Sequence, residues 1–228
     1  MPCLSIQLIQ ALFIIFFSVT LSYASAGDPL EAADLFEKME TAYAQVTDYQ
    51  TRVEVKTYKS NGSLMTEKFL YTFKKPNRIR LDFESPYSGL ILVYPDEKGK
   101  VVVQPPGLTR FIRLHLAPDN TLLVGPSGQR INQTDLGLLI QHIIRSLTNL
   151  RRSLADIAEK NGEVRIRVSA DNPFRRGVVT LYQFFINKDL WLPARVEEST
   201  PAGQLQRIVT FENLRLNIGI PDGFFRLD

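Results

Sequence analysis

Cysteine is almost missing from this chain. The single residue, Cys3, lies near the start, so no disulfide can form within the chain and no thiol pair is present for redox or metal chemistry. Histidine is nearly as scarce. His115 and His142 have no cysteine companions and no His-x-x-x-His spacing, which argues against a zinc site. No Gly-x-Ser-x-Gly elbow is present. Gly125-Pro-Ser-Gly128 lacks the Gly-Lys-Ser/Thr ending of a phosphate loop and reads as an ordinary turn. Asp82 and Glu84 are close together, yet alternation puts both on the polar face of a strand. These absences imply no cofactor and no metal, and they favour a protein that is not an enzyme.

An excess of one charge is lacking too. The chain has 27 Lys+Arg against 24 Asp+Glu, a formal net charge of +3, with the two signs interspersed. A nucleic-acid binder concentrates its basic residues, so no nucleic acid is expected as a partner. Lys74, Lys75, Arg78 and Arg80 do cluster, as do Arg151 with Arg152 and Arg175 with Arg176. Solvated strand faces and loop tips account for them; a modest attraction to anionic lipid is the sharper alternative.

One long apolar run stands out, Ile9 to Thr20, followed by Ala24-Ser25-Ala26 before Gly27. The pattern is that of a secretory signal peptide over residues 1–26, although no Lys or Arg precedes the run. An uncleaved anchor is the alternative, and the shortness of the run favours cleavage. The expected mature chain, residues 27–228, is long enough for a single domain with a sizeable core. An exported chain without cysteine is held by packing and hydrogen bonds alone, and a bacterial periplasm is the expected location.

The mature sequence opens with Asp28-Pro29-Leu30-Glu31, a capping pattern for a helix to about Gln45 with Leu35, Phe36, Met39, Tyr43 and Val46 along one side. Tyr49 to Tyr58 alternates as a strand, and Ser60-Asn61-Gly62-Ser63 makes a hairpin turn. From Glu67 to Tyr94 three alternating runs follow one another. Phe69, Tyr71 and Phe73 share a face, then Ile79, Leu81 and Phe83, then Gly89 to Tyr94 with Ile91 and Val93. Turns at Lys75-Pro76-Asn77 and Pro86 separate them, the signature of an antiparallel meander. Val101 to Val103 and Thr109 to Leu116 extend the strand series. Ala117 to Gln133 reads as a loop. Asp135 caps a second helix with Leu136, Leu139, Ile140, Ile143, Ile144 and Leu147 on one side. That helix is predicted to bend at Asn149, to continue through Leu150, Leu154 and Ile157, and to stop at Asn161-Gly162. Strands resume from Val164 to Leu216, and Gly223-Phe224-Phe225 closes the chain.

The order helix, strands, helix, strands gives an α+β class. Fourteen Phe and eight Tyr would suit a plain sandwich core, but two amphipathic helices need a face as well. An unclosed antiparallel β-barrel of about eleven strands, with helices covering its concave apolar face, satisfies every stripe and leaves room for an apolar guest. The candidate ligand-binding residues are Phe69, Tyr71, Phe73, Ile79, Leu81, Phe83, Ile91 and Val93 on the meander and Leu139, Ile140 and Ile143 on the second helix.

Several segments together resemble the LolA-like outer-membrane lipoprotein carriers and their secreted relatives. They are Val46-Thr-Asp-Tyr49, Phe73-Lys-Lys-Pro-Asn-Arg-Ile-Arg-Leu81 with Ser85-Pro86, Leu192-Pro-Ala-Arg-Val-Glu197, Gly203, Phe211-Glu-Asn213 and Pro221-Asp-Gly-Phe224. The resemblance implies an unclosed barrel with helices lidding a hydrophobic cavity, and carriage of acylated lipoproteins from an inner-membrane exporter to an outer-membrane receptor. In the best-known family member an arginine before the turn proline helps hold the lid. Here the position is Lys75, a point donor without the guanidinium fork, and it becomes the candidate gating residue. The expected function is a periplasmic, monomeric carrier or binder of a lipoprotein's acyl chains or of free lipid. An envelope interaction protein whose apolar face is only core, and a lipid-modifying enzyme, stay open as alternatives.

Cleavage after Ala26 is expected to give a mature protein beginning Gly27-Asp28-Pro29. N-terminal sequencing of periplasmic material checks it; intact residues 1–26 in a membrane pellet would establish the anchor instead.

Overall fold

The computed structural model describes residues 32–125, 128–148 and 156–227. The expected signal segment, the helix cap at Asp28 to Glu31 and the bend at Asn149 with Leu150 and Leu154 lie outside the described residues.

Helix α1 spans Ala32–Ala44. Leu35 and Met39, four residues apart on one side, are fully buried. The strands that follow are β1 Asp48–Tyr58, β2 Leu64–Lys74, β3 Arg78–Ser85, β4 Ile91–Tyr94, β5 Val101–Gln104 and β6 Leu114–Leu116. Helix α2 spans Leu136–Thr148, and β7 Asp156–Lys160, β8 Glu163–Asp171, β9 Val179–Asn187, β10 Leu192–Ser199 and β11 Leu205–Leu216 complete the chain. All eleven strands form one sheet in the order β6-β5-β4-β3-β2-β1-β11-β10-β9-β8-β7, and every pairing is antiparallel. β6 and β7 each have a single neighbour, so the sheet is an unclosed barrel with two helices. Sequence neighbours pair throughout except at β1–β11, which joins the two halves.

Register decides what faces inward. Val53 opposes Phe69, Thr51 opposes Tyr71 and Tyr49 opposes Phe73; Tyr71 in turn opposes Leu81, and Phe73 opposes Ile79. Directly opposed residues share a face, so these side chains form one apolar concave surface. Both helices lie against it: Leu35, Met39, Leu136, Ile140, Ile143 and Leu147 join the strand residues in one buried cluster. On the convex side a smaller cluster forms from Val93, Ile220 and Phe225, with Ile91, Phe224 and Leu227 against it.

Three expectations need correction. Leu81 pairs with Leu92 and Ile79 with Tyr94, so Leu92 and Tyr94 face inward while Ile91 and Val93 point to the convex side, opposite Asp82 and Arg80. A one-residue parity slip across the β3–β4 turn moves every side chain to the other face. The segment read as the tail of the second helix contains β7, in which Ile157 pairs with Ile166. Asn161 and Gly162 both have positive φ, 52° and 77°, and form a two-residue hairpin turn rather than a helix stop. Finally, of Thr109 to Leu116 only Leu114–Leu116 is strand; Gly107–Thr109 is a short 3-10 turn and Phe111 projects into solvent.

Ile143 has no exposed surface. Ile143→Asp is therefore expected to destabilise the protein by about 3 kcal/mol or more through an unpaired buried charge, lowering Tm by about 6–12 °C. A thermal melt checks it, and an unchanged Tm would contradict the packing of α2 on the sheet.

Candidate functional site

The concave face is not completely filled. Between α2 and the sheet lies a cavity of about 300 Å³. Its apolar wall comes from Val53 and Val55 of β1, Phe69 and Tyr71 of β2, Leu81 of β3, Val209 and Phe211 of β11, and Leu138 and Leu139 of α2. Strand alternation puts each sheet residue on the inward face, and helical spacing brings Leu138, Leu139, His142 and Arg145 over it.

One end of the cavity is polar. Arg207 Nη1 lies 3.4 Å from Glu198 Oε1 and donates to Gln129 Oε1 at 2.9 Å. Both members of this ion pair are largely withdrawn from solvent. Glu67, opposite Val55 in the register, joins the same face, and desolvation raises its carboxyl pKa although Arg207 pulls the other way. His142 stands edge-on to Tyr182 and Phe184, with ring centroids 4.9 and 5.8 Å away. Burial, aided by Arg145, lowers its pKa to about 4, so the imidazole is neutral at neutral pH. Burial beside Glu198 raises the Tyr182 hydroxyl well above its ordinary value.

The helices are tied down at the opposite end. Asp135 Oδ1 accepts from the N–H groups of Gly137 (2.8 Å) and Leu138 (3.1 Å), capping α2 as its sequence position predicts. The same oxygen accepts from the Tyr43 hydroxyl at 3.0 Å, which binds α1 to α2. The buried Tyr49 hydroxyl accepts from Leu136 N–H at 3.0 Å. Lys75 donates from Nζ to the carbonyls of Tyr43 (2.9 Å) and Ala44 (3.1 Å) and sits 4.7 Å from the Tyr43 ring centre. A cation on the last carbonyls of a helix suits both its unpaired acceptors and its dipole. Gly137 is where the helices touch: a Cβ there would lie 2.3 Å from Tyr43 Cε1.

Of the residues expected at the site, Phe69, Tyr71, Leu81 and Leu139 line the cavity. Phe73, Ile79, Ile140 and Ile143 are sealed in the core beneath it. Phe83 packs at a tilt on Phe69 at 5.1 Å and edge-on to Tyr87 at 6.0 Å without lining the space. Ile91 and Val93 are on the convex side. Lys75 is at the helix-tethering end, away from the lining. Sequence reasoning missed the contributions of β9, β10 and β11: Tyr182, Val196, Glu198, Arg207, Val209 and Phe211. Their alternation is visible, but only the β1–β11 pairing brings them beside the meander. Among the described residues no group of three or more His, Cys, Asp or Glu could hold a metal ion, and no helix is long and apolar enough to cross a membrane.

No family model matches the chain, and no curated protein matches it in sequence. Solved structures of similar shape include a DUF1329 family protein from Desulfovibrio piger, 12% identical, covering 88% of this chain and 98% of that one at a TM-score of 0.45. A LolA superfamily protein from Nitrosomonas europaea is 13% identical, with 87% and 99% covered and a TM-score of 0.41. The MucA/MucB complex from Pseudomonas aeruginosa offers a chain 15% identical at a TM-score of 0.44; 87% of this chain matches 62% of that one. At such identities the likeness is one of overall shape.

Gly137→Ala tests the helix contact. In an ordinary helix this change stabilises by about 1 kcal/mol. Here the methyl group displaces the Tyr43 ring and its bond to Asp135, so a loss of about 1–3 kcal/mol is expected. Tyr43→Phe alone should cost about 1 kcal/mol, and the double variant should cost less than the two together because they act on the same contact. Denaturant titrations of the three variants check this; a stabilised Gly137→Ala would mean that the contact does not form.

Proposed function

We propose that the protein is a carrier or binder of an acylated ligand, a lipoprotein's lipid tail or a free lipid, and that the hydrocarbon enters the space between α2 and the concave face. The observation that carries this reading is the apolar cavity itself, left open beneath helices that otherwise seal the same face. At about 300 Å³ it is at the small end of the range for ligand pockets. Each buried methylene contributes about 0.8 kcal/mol, so ten supply about 8 kcal/mol before ordering costs, equivalent to roughly micromolar binding. His142, neutral at pH 7, adds no charge of its own to the wall. The polar end, with Arg207, Glu198 and Gln129, offers both donors and acceptors to a head group. A larger load, such as several acyl chains, requires α1 and α2 to shift about the end where Lys75 and Tyr43 hold them. An exported protein in a periplasm, meeting an exporter at one membrane and a receptor at the other, is the setting this function needs.

A fluorescent fatty acyl probe added to delipidated protein is expected to bind at micromolar levels. Leu81→Glu should weaken it at least about tenfold by placing a carboxylate in the apolar wall. Leu139→Trp should do the same by filling the cavity without adding charge. Arg52→Gln is the control, since Arg52 pairs with Glu84 on the exposed convex face. Arg80 is unsuited to that role because it holds Asp82 and the Phe224 carbonyl and ring. No probe binding, or equal affinity in all variants, would mean that the face is only core.

A further inference from the structure

The two ends of the sheet differ in chemistry. Antiparallel pairing places the connections 59–63, 86–90, 105–113, 172–178 and 200–204 at one end, and 75–77, 95–100, 161–162 and 188–191 at the other. The first group carries Lys59, Arg110, Arg113, Arg175 and Arg176 and contains no Asp or Glu. The second mixes Lys75, Lys98, Lys100 and Lys188 with Asp96, Glu97 and Asp189.

Large exposed apolar side chains gather at the first end, while Leu122, Leu138 and Ile218 are exposed outside these connections. Leu108 is 94% exposed and Phe111 is 77% exposed, both in the connection 105–113. Leu64, Tyr87 and Val179 are also exposed, beside the neighbouring connections at that end. The connections 86–90 and 105–113 adjoin: a Cβ on Gly89 would lie 3.5 Å from Pro106 Cβ, which brings Tyr87 beside the turn that carries Leu108. The cavity lies toward this end as well. Pro173 and Phe174 of the β8–β9 connection line it, as do Glu198 and Arg207, close to the β10–β11 turn.

We propose that this end of the sheet docks on an anionic lipid surface, with Leu108 and Phe111 entering the interface and the ring of Lys and Arg residues resting on the phosphates. Large exposed apolar residues interleaved with cations, on connections without carboxylates, match a bilayer interface. A protein partner would call for a continuous apolar patch with hydrogen-bonding groups at its rim. Docking in this way brings the polar end of the cavity to the membrane, where a tail could pass between bilayer and protein. The inference does not require the cavity to hold lipid, because vesicle binding and probe binding are separate measurements.

Sedimentation with phosphatidylglycerol-containing vesicles and with pure phosphatidylcholine vesicles tests it, with wild type and variants sharing the same N-terminus so that residues 1–26 cancel. Wild type is expected to bind the anionic vesicles more tightly and to lose that preference as salt is added. The pair Leu108→Ser and Phe111→Ser should lower vesicle binding at least about tenfold. Arg110→Gln and Arg176→Gln should each lower it about fivefold. Acyl-probe affinity should stay unchanged in all of them. Equal binding to both vesicle types, no binding, or wild-type behaviour of the double serine variant would overturn the proposal. Self-association in analytical ultracentrifugation that the same serines abolish would also overturn it, assigning the surface to a second copy.

Discussion

The pairing of β1 with β11 is the contact on which the rest depends. Every other strand pair joins sequence neighbours and could form as a local hairpin or meander. This one closes a loop of well over a hundred residues, so its entropy cost is met only when both halves are already structured. Side chains reinforce it. Thr51 donates to the Glu212 carbonyl at 2.8 Å across the pair. Asp48, 4% exposed, accepts from the N–H groups of Ile218 (2.8 Å) and Ile220 (3.3 Å) just beyond it. Charge-assisted bonds of this kind are among the stronger ones in a protein, and a buried carboxylate without them would be costly. Joining the halves makes the concave face continuous. The wall of the cavity therefore crosses the seam, with Val53 and Val55 on one side and Val209 and Phe211 on the other.

Among the described residues, two helices of thirteen residues each lie against an open sheet of eleven strands. At about 1.5 Å per residue each helix is only about 20 Å long. The cavity is the space left unfilled between α2 and that face. Its position follows from where the helices are fastened: the cap at Asp135, the hydroxyls of Tyr43 and Tyr49, and Lys75 all act at one end. A lysine there does what a helix C-terminus requires, supplying a donor to two terminal carbonyls. It fixes α1 without the two-pronged geometry of an arginine.

The architecture was legible in the sequence because its signals are local. Period-two alternation in Phe69, Tyr71 and Phe73 and in Ile79, Leu81 and Phe83, the Asn61-Gly62 turn, and the helical spacing from Leu136 to Leu147 each identify an element without reference to the rest. The errors arose where local signals are degenerate. Asn161-Gly162 fits a helix stop and a hairpin turn equally well, and only the pairing of Ile157 with Ile166 decides between them. In Gly89 to Tyr94 apolar residues occupy both parities, so the run cannot say whether Ile91 and Val93 or Leu92 and Tyr94 face inward. The C-terminal segment decides it by laying Ile220 and Phe225 on the convex side, where Val93 meets them. The cavity was half legible. Its meander wall could be read, but the wall from β10 and β11 depends on a pairing between residues about 150 apart in sequence, which no periodicity encodes.

The chemistry of the two ends bears on how a guest could enter. At the Lys75 end the chain is cross-tied: Asn217 bonds Thr47 and the Gln45 carbonyl, Asp48 bonds the backbone beyond β11, and Lys74 bonds both Asp222 and the Ile220 carbonyl. Opening there would break several hydrogen bonds at once and expose Tyr49 and Phe73, which are buried and stacked. At the other end the connections are longer, their apolar side chains already face water, and the cavity is bounded by the Pro173-Phe174 loop rather than by paired backbone. Local opening is easiest where the fewest buried contacts and hydrogen bonds are lost. On the proposed reading, a guest would enter most cheaply through the apolar, cationic end, with the helices moving about the tethers at Lys75 and Tyr43.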